Sequence, residues 1–205
     1  MVGTKSVMIW IHGGGFISGS AREYIPSELI TENDVIVVVI QYRLGILGFL
    51  SSGDDVAPGN YGLWDQTLAI RWVKDNIRPF GGDPDSMTIF GESAGAASVG
   101  YQILSPASRG LFSRAILQSG TPLGYWTFNQ DPVQSLYYLA NKTGCLDQMS
   151  WSSTVYYTLA GRRQQAERER VVECLRGVDL NRLLPFTETE DVLAAIWVSG
   201  TLSRD

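Results

Sequence analysis

The stretch that decides the fold is Met87-Thr88-Ile89-Phe90-Gly91-Glu92-Ser93-Ala94-Gly95-Ala96-Ala97. A short apolar, β-rich run ends at Gly91, and small residues open a helix after Ser93. The centre reads G-x-S-x-G, the pattern of a nucleophile elbow. A serine on so sharp a strand-to-helix turn is crowded by backbone on both sides. Gly91 and Gly95 have no Cβ, which lets the flanking chains approach. The Ser93 hydroxyl then stands clear of the sheet, and the Ala94 amide sits where an oxyanion would form. Alone the pentapeptide is a weak signal, because turns collect glycine and serine. Its position between a strand and a helix is the context that the chemistry requires.

Working outward toward the N-terminus, Ser6 to Ile11 is a short apolar run stopped by glycine, which reads as a strand buried on both faces. His12-Gly13-Gly14-Gly15-Phe16 follows at once. Three glycines at a strand end leave backbone amides open to a ligand, the pattern of the second half of an esterase oxyanion hole. Asp34 to Tyr42 is too uniformly β-branched for a helix and reads as a second strand. Arg43 through Gly59 reads as a long glycine-rich loop. Asn60-Tyr61-Gly62 opens a helix to about Ile77, with Leu68, Trp72 and Val73 at helical spacing. Phe80 to Pro84 is a tight turn feeding the Ser93 strand.

Toward the C-terminus, the helix after Ser93 runs to Leu104 and Pro106 stops it. Arg114 to Gly120 reads as one more buried strand. Strands alternating with helices give an α/β domain with a mostly parallel sheet. From about Pro122 the character changes to a peripheral helical region, residues 122–205, within one domain spanning residues 1–205. Val133 to Thr143 reads as a helix stopped by Gly144, and Gln164 to Arg176 as a charged, solvated helix with intra-helical pairs. Trp151 to Gly161 reads as a surface insertion.

Composition sets outer limits. At 205 residues, 44% hydrophobic and 18% charged, the chain can build one ordinary globular core. A net charge of −5 without a basic, aromatic-interleaved run argues against a nucleic-acid partner. The longest apolar stretch, Val35 to Ile40, is strand-sized, so no membrane span is expected. No metal-ligand spacing occurs, and no cofactor is expected. Met1 to Lys5 has no signal-peptide design: either the protein is cytosolic or Met1 is not its natural start. Cys145 and Cys174 allow one disulfide or none. His12 is the single histidine.

Taken together, these residues resemble a type-B carboxylesterase, of the cholinesterase-like family of α/β-hydrolases. The blocks that carry the resemblance are His12-Gly13-Gly14-Gly15-Phe16, Gln41-Tyr42-Arg43, Ala57-Pro58-Gly59-Asn60, Gly62-Leu63-Trp64-Asp65-Gln66, Phe80-Gly81-Gly82-Asp83-Pro84, Gly91-Glu92-Ser93-Ala94-Gly95 and Gln118-Ser119-Gly120. They stand in the family's order and cover about Val7 to Cys145. The resemblance implies an α/β-hydrolase fold, Ser93 as nucleophile, and the amides of Gly14, Gly15 and Ala94 as the oxyanion hole. It implies a small-molecule carboxylic ester as substrate, Glu92 facing the pocket, and Trp126 as the aromatic wall of the acyl site. It also implies a buried Arg43–Asp65 salt bridge, a Cys145–Cys174 disulfide and, with the sequon Asn141-Lys142-Thr143, an extracellular glycoprotein.

The family's triad runs Ser, then Glu or Asp, then His, with the last two on later strands. The expectation is therefore a fragment covering the nucleophile half of the catalytic domain, with N- and C-terminal strands missing. His12, placed before the oxyanion glycines, is expected to position that loop, not to serve as the triad base. Two functions follow from the resemblance: a serine ester hydrolase working through an acyl-enzyme, and a non-catalytic adhesion or scaffolding protein on the same frame.

Overall fold

The structure, a computed structural model, describes residues 4–146 and 162–187. Four strands, β1 (Lys5–Ile11), β2 (Val35–Val39), β3 (Gly82–Glu92) and β4 (Arg114–Gln118), form one parallel sheet in the order β2-β1-β3-β4. Helices α1 (Ser27–Glu32), α2 (Gly45–Phe49), α3 (Tyr61–Asn76) and α4 (Ala94–Leu104) lie between the strands. After β4 come α5 (Pro132–Thr143), α6 (Arg162–Arg176) and the single turn α7 (Leu180–Leu183). Strands that alternate with helices and pair only in parallel make this the α/β-hydrolase type of sheet that the sequence implies.

The core lies where α3 and α4 cover the sheet. Val7, Ile9 and Ile11 of β1 and Met87 and Ile89 of β3 are fully buried there, as successive inward positions of period two require. The alternate residues are less covered: Ser6 is exposed and Met8 half-buried, so β1 is not buried on both faces. Trp10 instead finds aromatic partners in Phe90, edge-on at 4.8 Å, and Tyr24 at 5.0 Å.

Three further expectations need correction. Arg114 to Gln118 is not a buried strand: β4 pairs with β3 alone, and Ile116 and Leu117 are 43% and 38% exposed. On α3, Leu68 and Trp72 face outward, while Leu63, Gln66, Thr67, Ile70 and Val73 are inside. The inward stripe accommodates two polar residues because Gln66 donates to the Ser98 hydroxyl at 3.0 Å, and Thr67 donates to Gln102 Oε1 at 2.9 Å. Finally, the glycine-rich segment after Arg43 is not all loop, since α2 turns Ile46 and Phe49 into the core.

The periphery joins the same core. Leu136, Leu139 and Ala140 of α5 and Val171, Val172 and Leu175 of α6 belong to the one hydrophobic cluster. A Cys145–Cys174 disulfide ties the two segments, with Cα atoms 5.7 Å apart. The Arg168 guanidinium of α6 reaches Asp54 at 2.9 Å. Among the described residues no helix is long and apolar enough to cross a membrane. The reading of Trp151 to Gly161 as a surface insertion lies outside the described residues.

Candidate active site

Ser93 follows β3 directly and holds φ 55°, ψ −120°, a backbone conformation that an L residue adopts only under constraint from its surroundings. That constraint is visible. Its amide donates to the Gln118 carbonyl at 2.9 Å, and its carbonyl accepts from Ala97 at 3.0 Å. A Cβ added to Gly95 would lie 2.0 Å from the Ile11 carbonyl oxygen, and one on Gly91 would lie 2.6 Å from Gly95 and from that same oxygen. Serine is a favoured capping residue, yet Ser93 at the start of α4 makes no side-chain cap hydrogen bond. Its hydroxyl is therefore not committed to the helix that it begins.

The glycine loop packs against this turn. A Cβ on Gly13 would sit 3.3 Å from the Ser93 Cβ and 2.7 Å from the Glu92 carbonyl oxygen. Gly14, Gly15 and Phe16 all have positive φ, at 106°, 62° and 66°. The loop is closed through the Gly14 carbonyl, which accepts from the Ile17 and Ser18 amides at 3.0 Å each and from the Ser18 hydroxyl at 3.2 Å. The amides of Gly14 and Gly15 are not used to close it. Phe16 is fully buried, stacks obliquely on Phe49 at 5.0 Å and accepts the Gly45 amide at its carbonyl, 2.8 Å. One end of the loop is thus fixed in the core.

His12 fixes the other end. Its ring is fully buried, stacks on Tyr42 at 4.4 Å with 20° between the planes, and brings Nδ1 within 2.9 Å of the Gly13 carbonyl. That contact makes the Nδ1–H tautomer the one that donates. Nε2 is buried without a hydrogen-bond partner among the described residues. The Tyr42 hydroxyl donates to the His12 carbonyl at 2.7 Å, and burial pushes that phenol well above the usual tyrosine range. The ring packs on the Gly13 carbonyl, Tyr42 and Gly19, where a Cβ would lie 2.7 Å from Nδ1, and among the described residues it makes no hydrogen bond to Ser93. Tyr42 is given no role in the sequence reading, where it closes a β-branched strand and stands in the Gln41-Tyr42-Arg43 block.

The remaining candidates fall into two groups. Glu92 is exposed beside the glycine loop, its Oε2 3.1 Å from where a Gly13 Cβ would be. Trp126, half-buried, has its ring 6.3 Å from that of Phe16. Ser119, with φ 56°, was not singled out by sequence although it closes the strand next to the Ser93 turn. A Cβ on Gly120 would lie 2.2 Å from the Ser93 carbonyl oxygen. Away from this cluster, Asn141 is exposed on α5 and Cys145 and Cys174 form the disulfide.

Arg43 and Asp65 do pair, with Nε to Oδ2 at 2.7 Å, Nη2 to Oδ1 at 2.8 Å and the Arg43 amide to Oδ2 at 3.0 Å. Those bonds raise the Arg43 pKa further. The pair is not buried, however: the side chains are 51% and 27% exposed. Arg43 also lies over the Tyr61 ring, 5.1 Å from its centroid.

The sequence blocks converge in this geometry, and comparison with known proteins agrees. The sequence profile of the carboxylesterase family matches residues 2–201. Bile salt-activated lipase of Bos taurus is 54% identical over 147 residues, 68% of this chain and 25% of that protein. Esterase FE4 of Myzus persicae is 50% identical over 140 residues, 68% of this chain and 25% of that protein. Neuroligin-2 of Mus musculus is 50% identical over 143 residues, 70% of this chain and 17% of that protein. The chain spans about a quarter or less of the length of these curated relatives. With the match running almost from end to end and a serine turn set against a glycine loop, the chain belongs to the carboxylesterase family.

Proposed function

We propose that the chain is the nucleophile-bearing part of a serine carboxylic ester hydrolase. The observation that carries this is the Ser93 backbone, φ 55° and ψ −120° at the end of β3, with the glycine loop packed against it. A constrained serine whose hydroxyl is left out of the helix cap suits nucleophilic attack better than it suits a structural turn.

In the proposed reaction Ser93 Oγ attacks the ester carbonyl carbon and loses its proton to a base. The carbonyl oxygen becomes an oxyanion held by the amides of Gly14, Gly15 and Ala94. The alcohol leaves, and water releases the acid from the acyl-enzyme. Trp126 and Glu92 flank the acyl group and the entrance. No residue of the chain is proposed as the base, because His12 is the sole histidine and its ring is engaged in the loop. The base therefore comes from outside these 205 residues, and turnover is a property of a longer protein.

The test is hydrolysis of p-nitrophenyl acetate by the full-length protein, its Ser93→Ala variant and the 205-residue chain. Loss of turnover on the order of 10⁶ in Ser93→Ala, with an inactive isolated chain, is expected. Undiminished turnover in Ser93→Ala would falsify the assignment. A second reading, a non-catalytic adhesion or scaffolding protein, is favoured by the Neuroligin-2 match, since that name carries no ester chemistry. It predicts a full-length protein that turns over no ester, with or without Ser93.

The same proposal takes the chain as one domain with residues 122–205 at its periphery, in an extracellular protein. The disulfide supports an oxidising compartment, and exposed Asn141 supports a glycan at the sequon. The intact mass of protein from a secretory host, before and after enzymatic deglycosylation, reads both; two free thiols and an unchanged mass would refute it.

A further inference from the structure

The segment that carries Trp126 is a set of nested turns held to α4 by one side chain. The Gly124 amide donates to the Thr121 carbonyl at 3.2 Å and the Thr127 amide to the Gly124 carbonyl at 3.0 Å. The Thr127 hydroxyl lies 2.7 Å from the Gly124 carbonyl and 2.9 Å from that of Pro122. Tyr101 of α4, buried, brings its hydroxyl to the Thr127 carbonyl at 3.1 Å, the Thr127 hydroxyl at 3.2 Å and the Pro122 carbonyl at 3.2 Å. One proton cannot serve all three, so the phenol O–H is shared among them, while the Thr127 hydroxyl donates to the Pro122 and Gly124 carbonyls. Next to it the Pro122 ring lies flat on the helix at Gly100, where a Cβ would come within 2.3 Å of Pro122 Cδ. The turn is therefore seated against α4 at one place, over Gly100 and Tyr101.

Trp126 is the residue that this seating orients. Its Nε1 folds back over the turn, 3.2 Å from where a Gly124 Cβ would be, and its ring packs toward Phe16 at 6.3 Å. Phe16 ends the glycine loop and is itself fixed in the core. The gap between the glycine loop and the Trp126 ring is thus set from two sides, by Phe16 and by the turn that Tyr101 holds. Tyr101 is seven residues along α4 from its start at Ala94 and sits within the helix, not at the reacting end.

We propose that Tyr101 is a positioning residue that sets how far Trp126 stands from the glycine loop, and so limits the length of the acyl group accepted. The proposal rests on the reading of Trp126 as a wall of the acyl site. Tyr101→Phe keeps the ring and its packing but removes the hydroxyl that spans Pro122 and Thr127. The turn then relaxes outward, and longer acyl chains gain relative to acetyl.

Two readouts on the full-length protein test this. Hydrogen exchange at the Gly124 and Thr127 amides rises about five- to tenfold in Tyr101→Phe, the range expected for losing one net hydrogen bond, while β3 amides keep their rates. The ratio of kcat/KM for p-nitrophenyl hexanoate over p-nitrophenyl acetate rises by about the same factor. That gain comes through a lower KM for the hexanoate, with kcat for acetate within about twofold of the parent. Thr127→Val, which removes the hydroxyl and keeps the shape, shifts both readouts in the same direction and substitutes if Tyr101→Phe folds poorly. Faster exchange with an unchanged acyl ratio overturns the proposal, as does an unchanged exchange rate. A parent that hydrolyses neither ester overturns the functional reading and the selectivity with it, and the exchange data separate that outcome from failure of the clamp alone.

Discussion

Replacing Gly95 by alanine isolates the contact on which the Ser93 turn depends. In an ordinary helix the change is favourable by ~1 kcal/mol, because alanine loses less backbone entropy than glycine. Here the new methyl would lie 2.0 Å from the Ile11 carbonyl oxygen and 2.9 Å from that of His12. Ordinary contact begins at about 3.4 Å, so Ile11 or α4 must retreat by about 1.4 Å. Both obstacles are backbone of β1 where it enters the glycine loop, and neither can rotate away. Overpacking of this kind costs about 1–3 kcal/mol or more, which outweighs the propensity gain. A net loss of about 2 kcal/mol is expected by urea unfolding of the full-length protein. The displacement also falls between Ser93 and the loop proposed to bind its oxyanion, where a shift on the order of 1 Å costs about 10²-fold in kcat. Gly110→Ala is the control, since nothing lies within 4 Å of its added Cβ and only its φ of 75° is strained. If Gly95→Ala unfolds at the parent's midpoint and keeps its kcat, the close approach of β1 and α4 is not what holds the turn.

Three other outcomes follow from the contacts described above. Asp65→Asn is expected to cost about 1 kcal/mol, not the 3–5 kcal/mol of a buried ion pair, because Arg43 is half in solvent; a loss above about 3 kcal/mol in urea unfolding contradicts the exposure argument. Removing the disulfide, which closes a separation of 29 residues, is expected to cost about 3–4 kcal/mol in the chain-entropy model; equal unfolding midpoints for the parent and a Cys145→Ala, Cys174→Ala double variant would rule that out. Tyr42 and Tyr101 are both pushed up by burial, so each is protonated in the native state at pH values where the unfolded chain ionises. Their contribution is full below the unfolded pKa of about 10 and is lost as pH rises from there toward the native values; unfolding free energies that stay flat above pH 10 would show that these phenols are not buried.

What the sequence revealed and what it concealed have separate physical causes. The Ser93 turn and the glycine loop were legible because close backbone approach leaves a mark on composition, and only glycine fits at Gly91, Gly95 and Gly13. The strands were legible because β1 and β2 are short apolar runs between glycine or polar stops. The inward face of α3 was not, because Gln66 and Thr67 look like surface residues until Ser98 and Gln102, more than thirty positions away, complete their hydrogen bonds. Leu68 and Trp72 misled for the converse reason, since a large apolar side chain on a helix need not face the core. The five residues of α2 are too few to show a period among glycines. Exposure of the Arg43–Asp65 pair was equally hidden: the resemblance implies that the two charges meet, but not what covers them in this chain.

The strand order explains why residues so far apart in sequence meet at Ser93. From β1 the chain crosses to β2 on one side, and from β3 it crosses to β4 on the other. The segments leaving β1 and β3 therefore diverge, and a crevice opens between them at the carboxyl ends of the strands. The register sets those ends level, with Ile11 opposite Gly91 and Gly91 opposite Leu117. One residue farther on, the chain supplies His12, Glu92 and Gln118, and then the glycine loop, Ser93 and Ser119. Each border of the crevice is stiffened from behind, the loop by His12 and Tyr42 and the serine turn by Gly120 and the Gln118 carbonyl. His12 thus belongs to a wall of the site. Turning its ring toward Ser93 would break the bond to the Gly13 carbonyl and the stack on Tyr42, and so loosen the loop proposed to hold the oxyanion. On the proposed reading, the base for Ser93 is therefore a group other than His12.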